Sequence, residues 1–129
     1  MGTMPGVPTL EHFGLCAPRD KFEALLKFYE GVFGWHRIRE VGDTIVFIGD
    51  GQGGRLELIV NDVPPLARPH HGAFVLPMEH YDAARAALVN GEAEIVVEQT
   101  SPSGDRLLFF NDPAGNYMQV VFRIEALGK

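Results

Sequence analysis

Residues 10–17 alternate apolar and polar in the manner of a half-buried strand. His12, Gly14 and Cys16 share one face of it, Phe13 and Leu15 the other, and Pro18 closes it. The period then changes. Phe22, Leu25, Leu26, Tyr29, Val32 and Phe33 recur at the spacing of one helical stripe, about three turns long. Gly31 and Gly34 stop that helix, and Asp20 followed by Glu23 predicts a capping box at its start. Period two returns in residues 35–41 and 44–49, joined by the tight turn Gly42-Asp43, and again in residues 55–60 beyond a glycine-rich loop at 50–54. The order so far is β-α-β-β-β.

A proline-bearing connection over 61–69 leads into a second series. A strand is predicted at 71–76, with Phe74 and Leu76 inward. A shorter helix follows at 79–89, with Tyr81, Ala84 and Leu88 inward and Asn90-Gly91 as its stop. Strands at 93–99 and 106–110 flank a turn at 101–105. The run Asp112-Pro113-Ala114-Gly115-Asn116 is a strong turn signal before a last strand at 117–123. At one constant offset His12 falls on His71, Pro18 on Pro77, Phe22 on Tyr81, Glu23 on Asp82 and Ala24 on Ala83. An internal repeat dictates architecture. The expectation is an α+β chain of two βαβββ repeats, about 9–60 and 70–123, forming one domain over 1–129 because neither half buries its sheet alone. Residues 1–8, with Pro5 and Pro8, are expected to be an irregular lead-in.

Composition narrows the function. Of 129 residues 46% are hydrophobic and 22% charged, as in an ordinary globular chain. A formal net charge of −6 with no basic run excludes a nucleic-acid surface. Apolar runs are a few residues long, far short of a membrane span. The start MGTMPGVPT lacks a basic region followed by an apolar block, and a single cysteine, Cys16, forms no internal disulfide. Both point to the cytoplasm.

The strand faces away from the helices carry the candidate chemistry. His12 lies on such a face of the first strand, and Glu57 on that of the strand at 55–60. His71 and Gln119 occupy the equivalent places in the second repeat. Two imidazoles, a carboxylate and an amide, beside small residues, are a donor set for a divalent metal with open positions. A histidine at a strand start is as a rule an exposed structural residue; the symmetry of the set sets these apart. His70 rivals His71, since a slip of one residue exchanges their faces. His36 and His80 have no partners and read as surface residues. Cys16 reads as a small packed side chain, and the loop at 50–54 lacks the Lys-Ser/Thr of a phosphate loop.

The stretches EHFGLCAPRDKFEALLKFYEGVFGW, RLELIV, HHGAFVL and FFNDPAGNYMQVVF resemble, over about residues 10–123, the vicinal oxygen chelate superfamily of glyoxalases, bleomycin-resistance proteins and extradiol dioxygenases. The resemblance implies paired βαβββ modules whose curved mixed sheet surrounds a cleft. It places metal ligands at His12, Glu57, His71 and Gln119, with Zn, Ni, Mn and Fe(II) all suited, and Glu57 as the general base. It also implies a homodimer, with modules exchanged so that each cleft draws on both chains, and a small oxygenated substrate. The family usually has Glu where this chain has Gln119. An amide ligates without charge and is no base, which counts against a ring-cleaving dioxygenase and leaves a glyoxalase-like lyase or isomerase in front. The alternatives are a metal-free protein that sequesters a drug or aromatic ligand, and a chain whose polar cleft residues simply hydrogen-bond to one another.

Overall fold

The computed structural model describes residues 4–128, so residues 1–3 of the lead-in expected over 1–8 lie outside the described residues; 4–12 have no regular secondary structure. Strand β1 (Phe13–Ala17) begins later than the alternation predicts. Its parallel partner β4 (Arg55–Val60) pairs from Phe13↔Leu56, and residues 10–12 take no part in that ladder. Between them come helix α1 (Arg19–Lys27) and the hairpin of β2 (His36–Val41) and β3 (Ile45–Gly49). The second repeat comprises β5 (Gly72–Pro77), α2 (Tyr81–Asn90), β6 (Glu94–Thr100), β7 (Arg106–Asn111) and β8 (Tyr117–Arg123). The sheets have matching orders, β1-β4-β3-β2 and β5-β8-β7-β6, each with one parallel pair. In both hairpins the register shifts at a similar place, between Arg37 and Arg39 and between Ile95 and Val97. The two βαβββ modules are as the repeat predicts.

Three local expectations fail for identifiable reasons. The capping box does not form: Pro18 takes the N-cap position, no side chain caps it, and Asp20 lies inside the first turn, where its charge still suits the helix dipole. Helix α1 does not run on to Gly31; it widens into a π turn at Phe28–Val32 that also buries Phe28, a residue outside the predicted stripe. Leu76 is 38% exposed although an inward position is expected, and its neighbour Val75 is 65% exposed. Helix α1 packs over β1 and β4, whereas α2 lies over β6 and leaves β5 largely uncovered.

One hydrophobic core serves both modules. It takes Leu15, Leu56 and Leu58 from the first sheet and Leu108, Val120 and Phe122 from the second, with Leu25, Leu26 and Tyr29 between. The helix-side faces of the two sheets therefore share this core, and their other faces point away from it. Polar ties reinforce the joint. Tyr29 Oη donates to Asp112 Oδ2 at 2.8 Å, and Asn116 Nδ2 donates to the Cys16 carbonyl at 3.3 Å. Burial pushes the Asp112 carboxyl above its ordinary value, against the opposing pull of the hydrogen bonds from Tyr29, Asn116 and Ala114.

At the far end of the second sheet Asp105 accepts from the Ile124 N–H at 2.8 Å, from Arg123 Nη1 at 2.9 Å and from Ser103 Oγ at 3.2 Å. The Ile124 amide first, then Arg123, hold its carboxyl below the usual aspartate value. A depressed acid stabilises the fold above its unfolded-state pKa, and that contribution is lost as pH falls through the lower folded-state value. Asp105→Asn should therefore lower thermal stability at neutral pH and flatten its acid limb, read from melting temperature against pH. An acid limb as steep as that of the wild type would show that Asp105 has no such role.

Candidate functional site

His12 lies just before β1, at the edge of the first sheet's outer face. Its Nδ1 is 3.0 Å from Glu11 Oε1, and its Nε2 is 3.6 Å from Glu57 Oε1. The ring stands edge-on to Phe47, with centroids 5.3 Å apart and planes at 84°. Phe47 is directly opposite Glu57 in the β3–β4 ladder, and Gly14 flanks Glu57 in the β1–β4 ladder. A Cβ at position 14 would already stand 3.7 Å from Glu57 Oε1, so the glycine keeps space open beside the carboxylate.

The second sheet repeats the arrangement. His71 lies just before β5, its Nδ1 2.9 Å from the Pro69 carbonyl oxygen. Its ring stands edge-on to Phe109 at 5.3 Å and 80°. Phe109 is opposite Gln119 in the β7–β8 ladder, and Ala73 flanks Gln119 in the β5–β8 ladder. So His71 shares a face with Gln119, while His70 is exposed in the turn closed by its own N–H on the Ala67 carbonyl. One addition has no counterpart in the first half: Tyr117 stacks on Phe109 at 5.3 Å and 8°, with the Arg68 guanidinium 5.6 Å above the Tyr117 ring.

A hydrogen bond sets the tautomer of His71. A carbonyl oxygen only accepts, so His71 Nδ1 carries the proton in the neutral ring and Nε2 keeps its lone pair. His12 has a carboxylate at each ring nitrogen, Glu11 at Nδ1 and Glu57 at Nε2. Engagement of one ring nitrogen by an oxygen acceptor is the support that metal-bound histidines receive. Cys16 lies on the face of His12. Burial and then the Glu57 carboxylate push its thiol up, so it stays protonated at neutral pH and is no nucleophile. His36 and His80 are exposed.

The four residues form two pairs. Among the described residues no three His, Cys, Asp or Glu side chains stand close enough to hold a metal ion. Two contributors were missed in reading the sequence, Phe47 and Phe109. Their signal was present: each is the residue that hairpin register puts across from the candidate ligand of the neighbouring strand.

The sequence profile of the Glyoxalase/Bleomycin resistance protein/Dioxygenase superfamily matches residues 9–120. The chain belongs to that superfamily. No curated protein matches the sequence. Solved structures of the same fold include a lactoylglutathione lyase from Agrobacterium tumefaciens, 22% identical with a TM-score of 0.67, the match covering 92% of this chain and 96% of that one. A fosfomycin resistance protein from Listeria monocytogenes, in complex with Mn(II) and a dihydroxypropylphosphonic acid, is 18% identical with a TM-score of 0.79 over 93% and 94% of the two chains. A glyoxalase-related enzyme from Fulvimarina pelagi is 19% identical, with a TM-score of 0.74 over 95% and 96%. At these identities the likeness shows the glyoxalase fold, and the activity has to be argued from the superfamily member's own residues. No helix among its described residues is long and apolar enough to cross a membrane.

Proposed function

We propose that the chain is a divalent-metal-dependent lyase or isomerase of the glyoxalase-like type, acting on a small oxygenated substrate. Each metal centre would be completed by two copies, with His12 and Glu57 from one chain and His71 and Gln119 from the other. One observation carries the reading. Both half-sites hold their histidine with Nδ1 engaged and the ring braced edge-on by a phenylalanine, on sheet faces that point away from the shared core. Two such halves of one chain are built to meet the complementary halves of another, and a two-fold dimer supplies both pairings at once.

The donor set fits a divalent ion: two imidazoles, one carboxylate and one amide oxygen, with room for substrate oxygens. When bound, the ion acts as a Lewis acid toward an oxyanion developing on the substrate. The chain's own chemistry then falls to Glu57. It is the carboxylate of the set, it faces His12 Nε2 across 3.6 Å, and its side chain is 21% exposed, open enough to accept a substrate proton. Gln119 cannot take a proton, so acid–base work is one-sided, and Gln119 orients. The Phe109–Tyr117 stack, with Arg68 over it, favours a second reading: metal-free capture of an aromatic ligand on that half-site.

Metal analysis of complemented variants separates these. His12→Ala and His71→Ala should each bind no metal alone. Unfolded together and refolded as a mixture, they should regain about a quarter of the wild-type metal, because half of the random dimers hold one intact pairing of the two. No stoichiometric uptake of Zn, Ni, Mn or Fe(II) by the wild type would sink the metal reading. Metal in the wild type without recovery in the mixture would place all four ligands in one chain.

A further inference from the structure

The two helices differ in bulk at matching places. At the offset that superposes His12 on His71, Leu25 corresponds to Ala84 and Phe28 to Ala87. Leu25 and Phe28 are 0% and 2% exposed and fill the space between α1 and the sheets. Ala84 and Ala87 fill no such space. With α2 lying over β6, a cavity of about 730 Å³ stays open between α2, β5, the end of α1 and the chain at residues 10–13 and 53–56.

Its walls are apolar. Val32, Phe33 and Trp35 come from the first module, and Phe74, Leu88 and Val120 from the second. Phe74 stands at the centre of an aromatic group, 4.6 Å from Phe33 at 68° and 5.5 Å from Trp35 at 87°. The charged lining residues Glu11, Asp50 and Arg55 are exposed and belong to the mouth. No sealed, unpartnered side-chain nitrogen or oxygen exists among the described residues to receive a buried head group. Glu57 and Gln119 do not line this cavity, whereas the half-buried His12 and the exposed His71 do. The cavity adjoins the candidate metal centre at these two histidines, but its apolar part, against α2, Phe33 and Trp35, does not depend on the metal reading.

We propose that this cavity is a second ligand site, for an uncharged planar aromatic molecule of two or three fused rings. The volume lies within the range of small-molecule pockets, roughly 300–1,000 Å³. The perpendicular rings of Phe74 and Trp35 offer edges and faces to a flat guest, the geometry that aromatic pairs favour. A charged guest would lose hydration in the apolar depth without a partner there. The concave shape, walled by α2 on one side and Phe33 and Trp35 on the other, suits a small molecule better than the flat surface of a protein partner.

Trp35 is the only tryptophan in the chain, so it reports occupancy directly. Titration with the neutral dye N-phenyl-1-naphthylamine should quench Trp35 emission saturably, with energy transfer to one dye per chain. Ala87→Phe, which restores the side chain that α1 carries at the matching position, should weaken dye binding by at least about tenfold through occupation of the space. Ala84→Leu tests the same wall if the phenylalanine variant does not fold. Glu57→Gln should bind dye as the wild type does. Absence of saturable quenching, or wild-type affinity in both filled variants, would overturn the proposal. So would a wild-type dimer that binds no dye and dissociates when Ala87 becomes Phe, since the cavity would then seat a second copy of the chain.

Discussion

Replacing Asp112 with alanine should cost the fold roughly 3–5 kcal/mol, measured by urea or thermal unfolding. The carboxylate is the shared acceptor of a buried group. Oδ1 takes the Ala114 N–H at 2.9 Å and the Asn116 N–H at 3.0 Å, while Oδ2 takes Tyr29 Oη at 2.8 Å and Asn116 Nδ2 at 3.1 Å. Alanine leaves these donors without a partner in a region closed to water. Relief of the carboxylate's own desolvation offsets part of that cost, which holds the total below the sum of the separate bonds. Tyr29→Phe removes one donor and should cost about 1–2 kcal/mol. The pH dependence has a definite sign. Because burial raises the folded-state value, this group's stabilising contribution is complete below its unfolded-state pKa and is lost as pH rises through the folded one. The penalty of Asp112→Ala should accordingly be larger at a pH near the unfolded-state aspartate value than well above the folded-state one. A penalty below 1 kcal/mol would mean that the turn and α1 hold together without the carboxylate.

Gln119→Glu should move metal binding the most. On the proposed reading it turns a neutral ligand into an anionic one, and divalent affinity should rise roughly ten- to hundredfold, as ligand charge tunes such sites. The same change works against the metal-free fold. Position 119 is 7% exposed, so an ionised carboxylate there loses hydration and should destabilise the apoprotein by about 1–3 kcal/mol. Adding Mn(II) or Ni(II) should therefore raise the melting temperature of the variant more than that of the wild type. Competition against a chelator measures the affinity. Unchanged affinity together with a destabilised apoprotein would remove position 119 from the ligand set.

Much of this fold is readable from periodicity. Every strand and both helices stand within a few residues of where the alternation puts them, because each sheet has one apolar face and the pattern of Leu56, Leu58 and Val60 admits one orientation. The histidine faces were less legible, since His70 and His71 precede β5 and lie outside the period-two pattern; contact with Phe109 is what places His71. The position of α2 depended on bulk. The same stripe serves both helices, and two alanines decide that one covers its sheet edge and the other does not. DPAGN read as a turn, and it is one. Its further role, receiving Tyr29 from the other module, is a long-range fact that no local window contains.

That long range bears on how the protein is made. The Tyr29–Asp112 bond joins residues 83 apart, and the Asn116–Cys16 bond joins residues 100 apart. On a ribosome, the first module emerges with its tyrosine unpaired and its share of the core open, and it waits for nearly the whole chain before the acceptor arrives. Closing such long loops slows folding relative to proteins with local contacts. The nascent first half is thus the stage at which this module's core stands most open, and the second module is what closes it.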